Sequence, residues 1–191
     1  MRRQSGTRAR IQEIALRLFI EQGYEATSLR EIAERLGVTK AALYYHFKTK
    51  EDIVVSLAEG VVAAIDDLIE WGRTQPSTPA FRAELIRRYC DLVHDKGHLG
   101  MMRFLQRNQT VLRGHPAMND VKKRMLDLMG MLADPAGTPA ERLRGAMSLF
   151  AIHASWMLLQ DDPMSDDERR AAGLEIALEL VGRSDDHRED G

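Results

Sequence analysis

Cysteine is almost absent from this 191-residue chain: Cys90 stands alone. No intrachain disulfide can form, and no cysteine-based metal site is available. No run of about 18 apolar residues occurs, which excludes a membrane-spanning helix. The opening Met1-Arg2-Arg3-Gln4-Ser5-Gly6 is basic, but no apolar stretch follows it directly. A secretory signal is therefore not expected, and a cytoplasmic protein is the simplest reading. Strand signals are also nearly missing.

Helical periodicity is present instead. The hydrophobic fraction is 44%, enough for a sizeable core, and charged residues make up 29%. Ile11, Ile14, Ala15, Leu18 and Phe19 fall on one face of a helix over about Thr7–Gln22, which Gly23 ends as a C-terminal cap. Thr27-Ser28 precedes a second run of Leu29, Ile32, Ala33 and Leu36, with Glu31 placed as in a capping box. Gly37 stops that helix after about two turns. Thr39 can cap a third helix reaching His46 or Phe47. Thr49, with Asp52 at the third helical position, can cap a fourth over about Lys50–Trp71. Further amphipathic runs follow at Ala80–Lys96, Leu99–Leu112, Pro116–Leu132, Pro139–Gln160 and Ser165–Val181, punctuated by proline and glycine. The expected fold is all-α with about nine helices, and the tail from Arg183 is polar.

Charge is unevenly placed. Residues 1–50 carry ten Lys/Arg and five Glu, for +5; the remainder carries 17 Lys/Arg and 24 Asp/Glu, for −7. A basic head on an acidic body suits a polyanionic partner at one end, although chance clustering of solvated charges gives the same asymmetry.

Residues 27–50 refine the first of these readings. A short capped helix, a glycine-containing turn and a second short helix form a helix-turn-helix pattern, here over 28–47. Ala33 is small where the two helices cross, and Gly37 suits a left-handed turn. Ile32, Leu36, Val38 and Leu43 can pin the pair onto the first helix. The second helix then directs its outer face at a major groove. Lys40, Tyr44, Tyr45 and His46 lie on it, with Lys48 and Lys50 following. Phe47 suits the core, and adjacent Tyr44 and Tyr45 cannot both face inward.

The string Gly37-Val38-Thr39-Lys40-Ala41-Ala42-Leu43-Tyr44-Tyr45-His46-Phe47-Lys48-Thr49-Lys50-Glu51 resembles the signature of tetracycline-repressor-like (TetR family) regulators. Ala15-Leu16-Arg17-Leu18-Phe19, Gly23-Tyr24-Glu25-Ala26-Thr27-Ser28 and Ile32-Ala33 match it as well, so the resemblance spans about 7–57. It implies phosphate contacts at Thr27, Ser28 and Arg30. It implies that Thr39, Lys40 and Ala42 face the groove, that Tyr44, Tyr45 and His46 meet backbone or base edges, and that Lys50 clamps a phosphate. Some relatives have Gly and Thr where this chain has Ala41-Ala42, which removes a hydroxyl and leaves a methyl able to meet a thymine methyl.

The resemblance further implies a DNA-binding domain at 4–64, an effector-binding and dimerisation domain at 65–183 and a polar tail at 184–191. Partners would be a pseudo-palindromic double-stranded DNA operator, a second copy of the chain and a small effector. The implied function is a homodimeric repressor released by an apolar or aromatic effector. An activator, a ligand-independent regulator and a protein–protein adaptor are the alternatives. Candidate effector residues are Trp71, Met101, Met102, Phe104, Met125, Met129, Met147, Phe150 and Trp156, because flexible thioethers and rings line apolar cavities. Ordinary core filling gives the same pattern. Candidate dimer residues are Phe150, His153, Met157, Leu174, Ala177, Leu178 and Val181; a monomeric core would use the same stripe. His94 and His98 read as a surface pair rather than a metal site, and Cys90 as a small buried hydrophobe. No cofactor is expected. No acid/base or nucleophile set has supporting spacing, so no enzyme is expected.

Overall fold

A computed structural model describes residues 2–95, 98, 100, 101, 104, 108, 115–133, 137–159 and 161–182, with side chains from residue 6 onward. Among these residues there are eight helices and no strand. They are α1 (Arg2–Glu21), α2 (Leu29–Leu36), α3 (Lys40–His46), α4 (Lys50–Arg73), α5 (Pro79–His94), α6 (Pro116–Leu132), α7 (Pro139–Leu158) and α8 (Asp166–Gly182). The remaining helix expected from the sequence, Leu99–Leu112, falls largely outside the described residues. No helix among the described residues is long and apolar enough to cross a membrane.

The chain forms two compact units, one of residues 1–63 with 95–121 and one of residues 64–94 with 122–191, as far as each is described. Unlike a division at a single point in the chain, the first unit takes in residues far beyond its own N-terminal stretch. Met101, Phe104 and Ala117 supply the reason, since all three are buried in its core.

That core is assembled from the apolar faces read in the sequence. Ile11, Ala15, Leu18 and Phe19 of α1 meet Ile32, Ala33 and Leu36 of α2, Leu43 of α3, and Ile53, Val54 and Ala58 of α4. Fully burying a side chain the size of Leu43 contributes roughly 1.5–3 kcal/mol. The α2–α3 turn is closed by Gly37 at φ +72°. Its N–H donates to Glu34 O at 3.1 Å, while the Val38 N–H donates to Ala33 O at 3.0 Å. This paired closure needs a left-handed residue, which glycine adopts without steric cost.

In the second unit, α5 buries Leu85, Ile86, Tyr89, Cys90 and Val93. Helix α7 starts with a capping box, Thr138 and Glu141 bonding each other's backbone N–H. Ser165 and Glu168 do the same for α8. Small residues let α7 and α8 approach. A Cβ built on Gly173 would lie 2.7 Å from Ser155 Oγ and 3.4 Å from Ile152 Cα. Buried Arg169 ties the α7–α8 connection: its Nε donates to Leu159 O at 2.8 Å and its Nη2 to Asp162 O at 3.0 Å.

Candidate nucleic-acid interface

The reading head begins at the corner between α1 and α2. Gly23 holds φ +98° there. The Thr27 hydroxyl donates to Gly23 O at 2.8 Å, so its oxygen must accept from Gln22 Nε2 at 3.3 Å. Thr27 is buried at 2% exposure. Its side chain shapes the corner from inside. Ser28 is exposed and caps α2, its Oγ accepting from Glu31 N at 3.1 Å. The capping box expected here is only half made. The Glu31 carboxylate instead accepts from Gln22 Nε2, 2.9 Å from each oxygen. Arg30 is exposed and pairs with Glu34 at 2.7 Å. Such an exposed pair is weak enough to exchange for a phosphate.

Helix α3 follows with its cap at Thr39, whose Oγ1 accepts from Ala42 N at 3.1 Å. Leu43 and Phe47 are buried at 0% and 2% exposure and root the helix in the core. The opposite face is open. Thr39, Lys40 and Ala41 are exposed, and Tyr45 is 71% exposed. Ala42, Tyr44 and His46 are half-buried. Tyr44 packs against the core, so of the two tyrosines it is Tyr45 that stands free. The Lys40 ammonium lies 5.3 Å from the Tyr44 ring centroid. The Lys48 ammonium donates to Tyr44 O. The Tyr45 and His46 rings meet edge to face at 5.3 Å.

Helix α4 opens with the box expected for it. Thr49 Oγ1 accepts from Asp52 N at 3.0 Å, and Asp52 Oδ2 accepts from Thr49 N at 2.9 Å. Lys50, in the first turn, reaches back to the α1–α2 corner. Its ammonium donates to Tyr24 O at 2.5 Å and Glu25 O at 3.4 Å, and lies 4.4 Å from the Tyr24 ring centroid. An ammonium has three N–H groups, so one remains for a further acceptor.

Ser28, Arg30, Thr39, Lys40 and Tyr45 therefore share the solvent-exposed surface of α2 and α3, with Ala42, Tyr44, His46 and Lys50 partly covered. Sequence reasoning missed Gln22, which organises the corner, and Arg8, whose guanidinium lies 5.1 Å from the Phe47 ring centroid. Periodicity gives no signal for either, because both are polar residues whose roles arise from contacts across helices.

The candidates for an effector site are distributed over both units. Met101 and Phe104 are buried in the core of the first unit. Trp71, Met125, Met129, Met147, Phe150 and Trp156 belong to the second. Met102 lies outside the described residues. Met147 and Phe150 are 42% and 48% exposed. Trp71 stacks near Phe81 at 5.8 Å, with the Arg88 guanidinium 4.0 Å from its ring. Trp156 Nε1 donates to His94 Nε2 at 2.8 Å, and Tyr89 O–H lies within hydrogen-bond distance of both His153 Nε2 and Met125 Sδ. His94 is thus a partner of Trp156 and of Cys90 O rather than half of a surface pair. Cys90 is fully buried, and burial pushes its thiol pKa up.

The dimer candidates divide as well. Ala177 and Val181 are buried within the chain itself at 0% and 3% exposure, and His153 faces Tyr89. Leu174 and Leu178 are half-buried. Phe150 and Met157 are open, and with them Leu143, Met147 and Leu158 of α7 and Ile176 of α8. The positions 143, 147, 150, 157 and 158 follow helical spacing and make an exposed apolar stripe on α7. Leu143 and Ile176 were legible as helical apolar positions, but the face they occupy depends on where α7 and α8 meet.

Residues 11–57 match the family model for bacterial regulatory proteins of the tetR family. The transcriptional repressor KstR2 of Rhodococcus jostii is 41% identical over 64 residues, 34% of this chain and 30% of that protein. The chain thus matches about a third of the length of the first curated relatives it resembles. The transcriptional regulator TtgR of Pseudomonas putida is 28% identical over 190 residues, covering 85% of this chain and 87% of that one. The crystal structure of Mycobacterium smegmatis AmtR superposes with a TM-score of 0.67 at 26% identity, over 90% of this chain and 84% of that one.

Proposed function

The chain belongs to the TetR family of bacterial regulatory proteins, and on that premise we propose that it is a homodimeric transcriptional repressor that reads a pseudo-palindromic DNA operator and leaves it when a small effector binds. The observation that carries the reading is the division of labour on α3. Leu43 and Phe47 are buried while Thr39, Lys40, Ala41 and Tyr45 stand in solvent. A short helix fixed along one side and polar along the other is what a major groove admits. In this reading Lys40 and Tyr45 meet base edges or backbone. Ser28, Arg30 and Thr39 hold phosphates, together with Lys50 through its remaining N–H. Ala42, Tyr44 and His46 flank the contact.

The exposed stripe on α7 supports the dimer. Leu143, Met147, Phe150, Met157 and Leu158, with Ile176, expose apolar side chains that a second copy of the same face would cover. Two reading heads would then meet half-sites separated by whole turns of DNA. The repressor reading draws on KstR2, which is named a repressor. For the effector, Trp71, Met125, Met129 and Trp156 remain the candidates within the second unit. The ligand would act by favouring a dimer whose heads no longer match the two half-sites.

Selection of duplexes from a random pool, followed by salt titration of the recovered sequence, tests the reading. Recovery of an inverted repeat whose affinity falls steeply with salt is expected. Failure to enrich any sequence, or enrichment with no salt dependence, would overturn it.

A further inference from the structure

Phe104 lies 47 positions beyond the last residue matched by the family model, yet it is fully buried in the core of the reading head. Its ring sits 5.5 Å from that of Phe19 and 5.8 Å from that of Tyr24, edge-on to the latter. Phe19 and Tyr24 close the triangle at 5.1 Å, again edge to face. Edge-to-face rings interlock in direction as well as volume, so Phe104 and Phe19 together fix the plane of Tyr24. Tyr24 in turn holds the Lys50 ammonium, which lies 4.4 Å from its ring centroid and is bonded to Tyr24 O. Phe104 is itself anchored. Its carbonyl accepts from both N and Nδ2 of Asn108, each at 2.9 Å. Nearby, Gly100 allows an approach so close that a Cβ there would lie 2.8 Å from Leu16 Cδ2.

We propose that Phe104 is a positioning residue for DNA binding: through the Tyr24 ring it fixes where Lys50 presents its ammonium. A cation is held over a ring face only while the face stays beneath it. A shift of Tyr24 therefore moves two of the Lys50 contacts at once, the ring and the carbonyl of the same residue. Phe104 thereby acts on the strength of a phosphate contact without touching DNA. This inference rests on the proposed role of Lys50 in DNA binding and adds a regulator to it.

A double-mutant cycle separates this relay from general loss of packing. The probe is a duplex recovered by the wild-type protein from a random pool. Binding is measured across salt at a temperature where every variant is folded. Phe104→Leu keeps the site apolar but removes the ring; it should weaken binding about three- to tenfold and lower the salt slope by up to about 0.9 for each head engaged. In the Lys50→Ala background the same substitution should change affinity less than about twofold. Tyr24→Leu should behave like Phe104→Leu and serves if the latter does not fold. Equal losses in both backgrounds, or no loss in either, with wild-type binding intact, would overturn the relay alone. A wild-type protein that enriches no duplex removes the DNA-binding reading and the relay with it.

Discussion

Tyr89 and His153 form a hydrogen-bonded pair inside the second unit, joining α5 to α7. Burial pushes the phenol pKa well above its ordinary value. Burial, with nearby His94 adding to it, pushes the imidazole pKa down. The proton therefore stays on Tyr89, which donates to a neutral His153 Nε2. His94 is lowered too, first by its own burial.

The sign of the resulting pH dependence follows from linkage. The unfolded chain takes up protons at His94 and His153 near pH 6.5, while the folded chain resists. The stability contributed by keeping them neutral is complete above that value and is lost as pH falls through the lower folded values. The melting temperature should drop between about pH 7.5 and pH 5.5. His153→Gln should flatten that limb of the profile. Parallel profiles for the two proteins would show that His153 contributes nothing to it.

On the reading surface, Tyr45 and Tyr44 should part company. Tyr45 is 71% exposed and Tyr44 is packed on the core. Tyr45→Ala should weaken operator binding by roughly 1–3 kcal/mol while leaving the melting temperature nearly unchanged. Tyr44→Ala should lower both. A gel-shift titration beside a thermal melt makes the distinction, and unchanged operator affinity for Tyr45→Ala would remove that residue from the interface.

A charge on the apolar stripe of α7 should divide the proposed dimer. Phe150 is 48% exposed in the isolated chain, so Phe150→Glu should not disturb the fold. Sedimentation should show a wild-type dimer and a variant shifted to monomer at micromolar concentration. Identical sedimentation of a dimeric wild type and the variant would place the dimer interface elsewhere.

The approach of α7 to α8 should tolerate no side chain at Gly173. A Cβ there meets Ser155 Oγ at 2.7 Å, and that hydroxyl is already bonded to Ile152 O at 2.9 Å. Gly173→Leu should destabilise by at least about 1–3 kcal/mol, as overpacking does. Gly182→Ala is the control, since nothing lies within 4 Å of a Cβ there. Urea unfolding of the two variants, with equal midpoints, would refute the close contact.

Much of the reading head was legible because its information is local. Ser28, Thr39 and Thr49 cap the helices that follow them, and Gly37 supplies the left-handed turn. Leu43 and Phe47 face inward as helical periodicity requires. Local rules failed where the deciding partner is remote. Glu31 is placed for a capping box, yet its carboxylate goes to Gln22 in the α1–α2 corner. Thr27 belongs to the matched motif but spends its hydroxyl on the corner beneath it.

The effector and dimer candidates show the same boundary more sharply. An apolar helical position states only that a residue seeks cover, not which surface provides it. Ala177 finds that cover against its own chain, whereas Leu143 and Phe150 are left open. Phe104 reads in the sequence like Trp156, an aromatic in an amphipathic run, but the two lie in different units. By itself the sequence determined the helices, their caps and the family, because spacing and turn chemistry act over a few residues. Only the tertiary structure decided that Lys50 is held by Tyr24, and Tyr24 by Phe104, because those contacts join residues that chain spacing leaves unrelated.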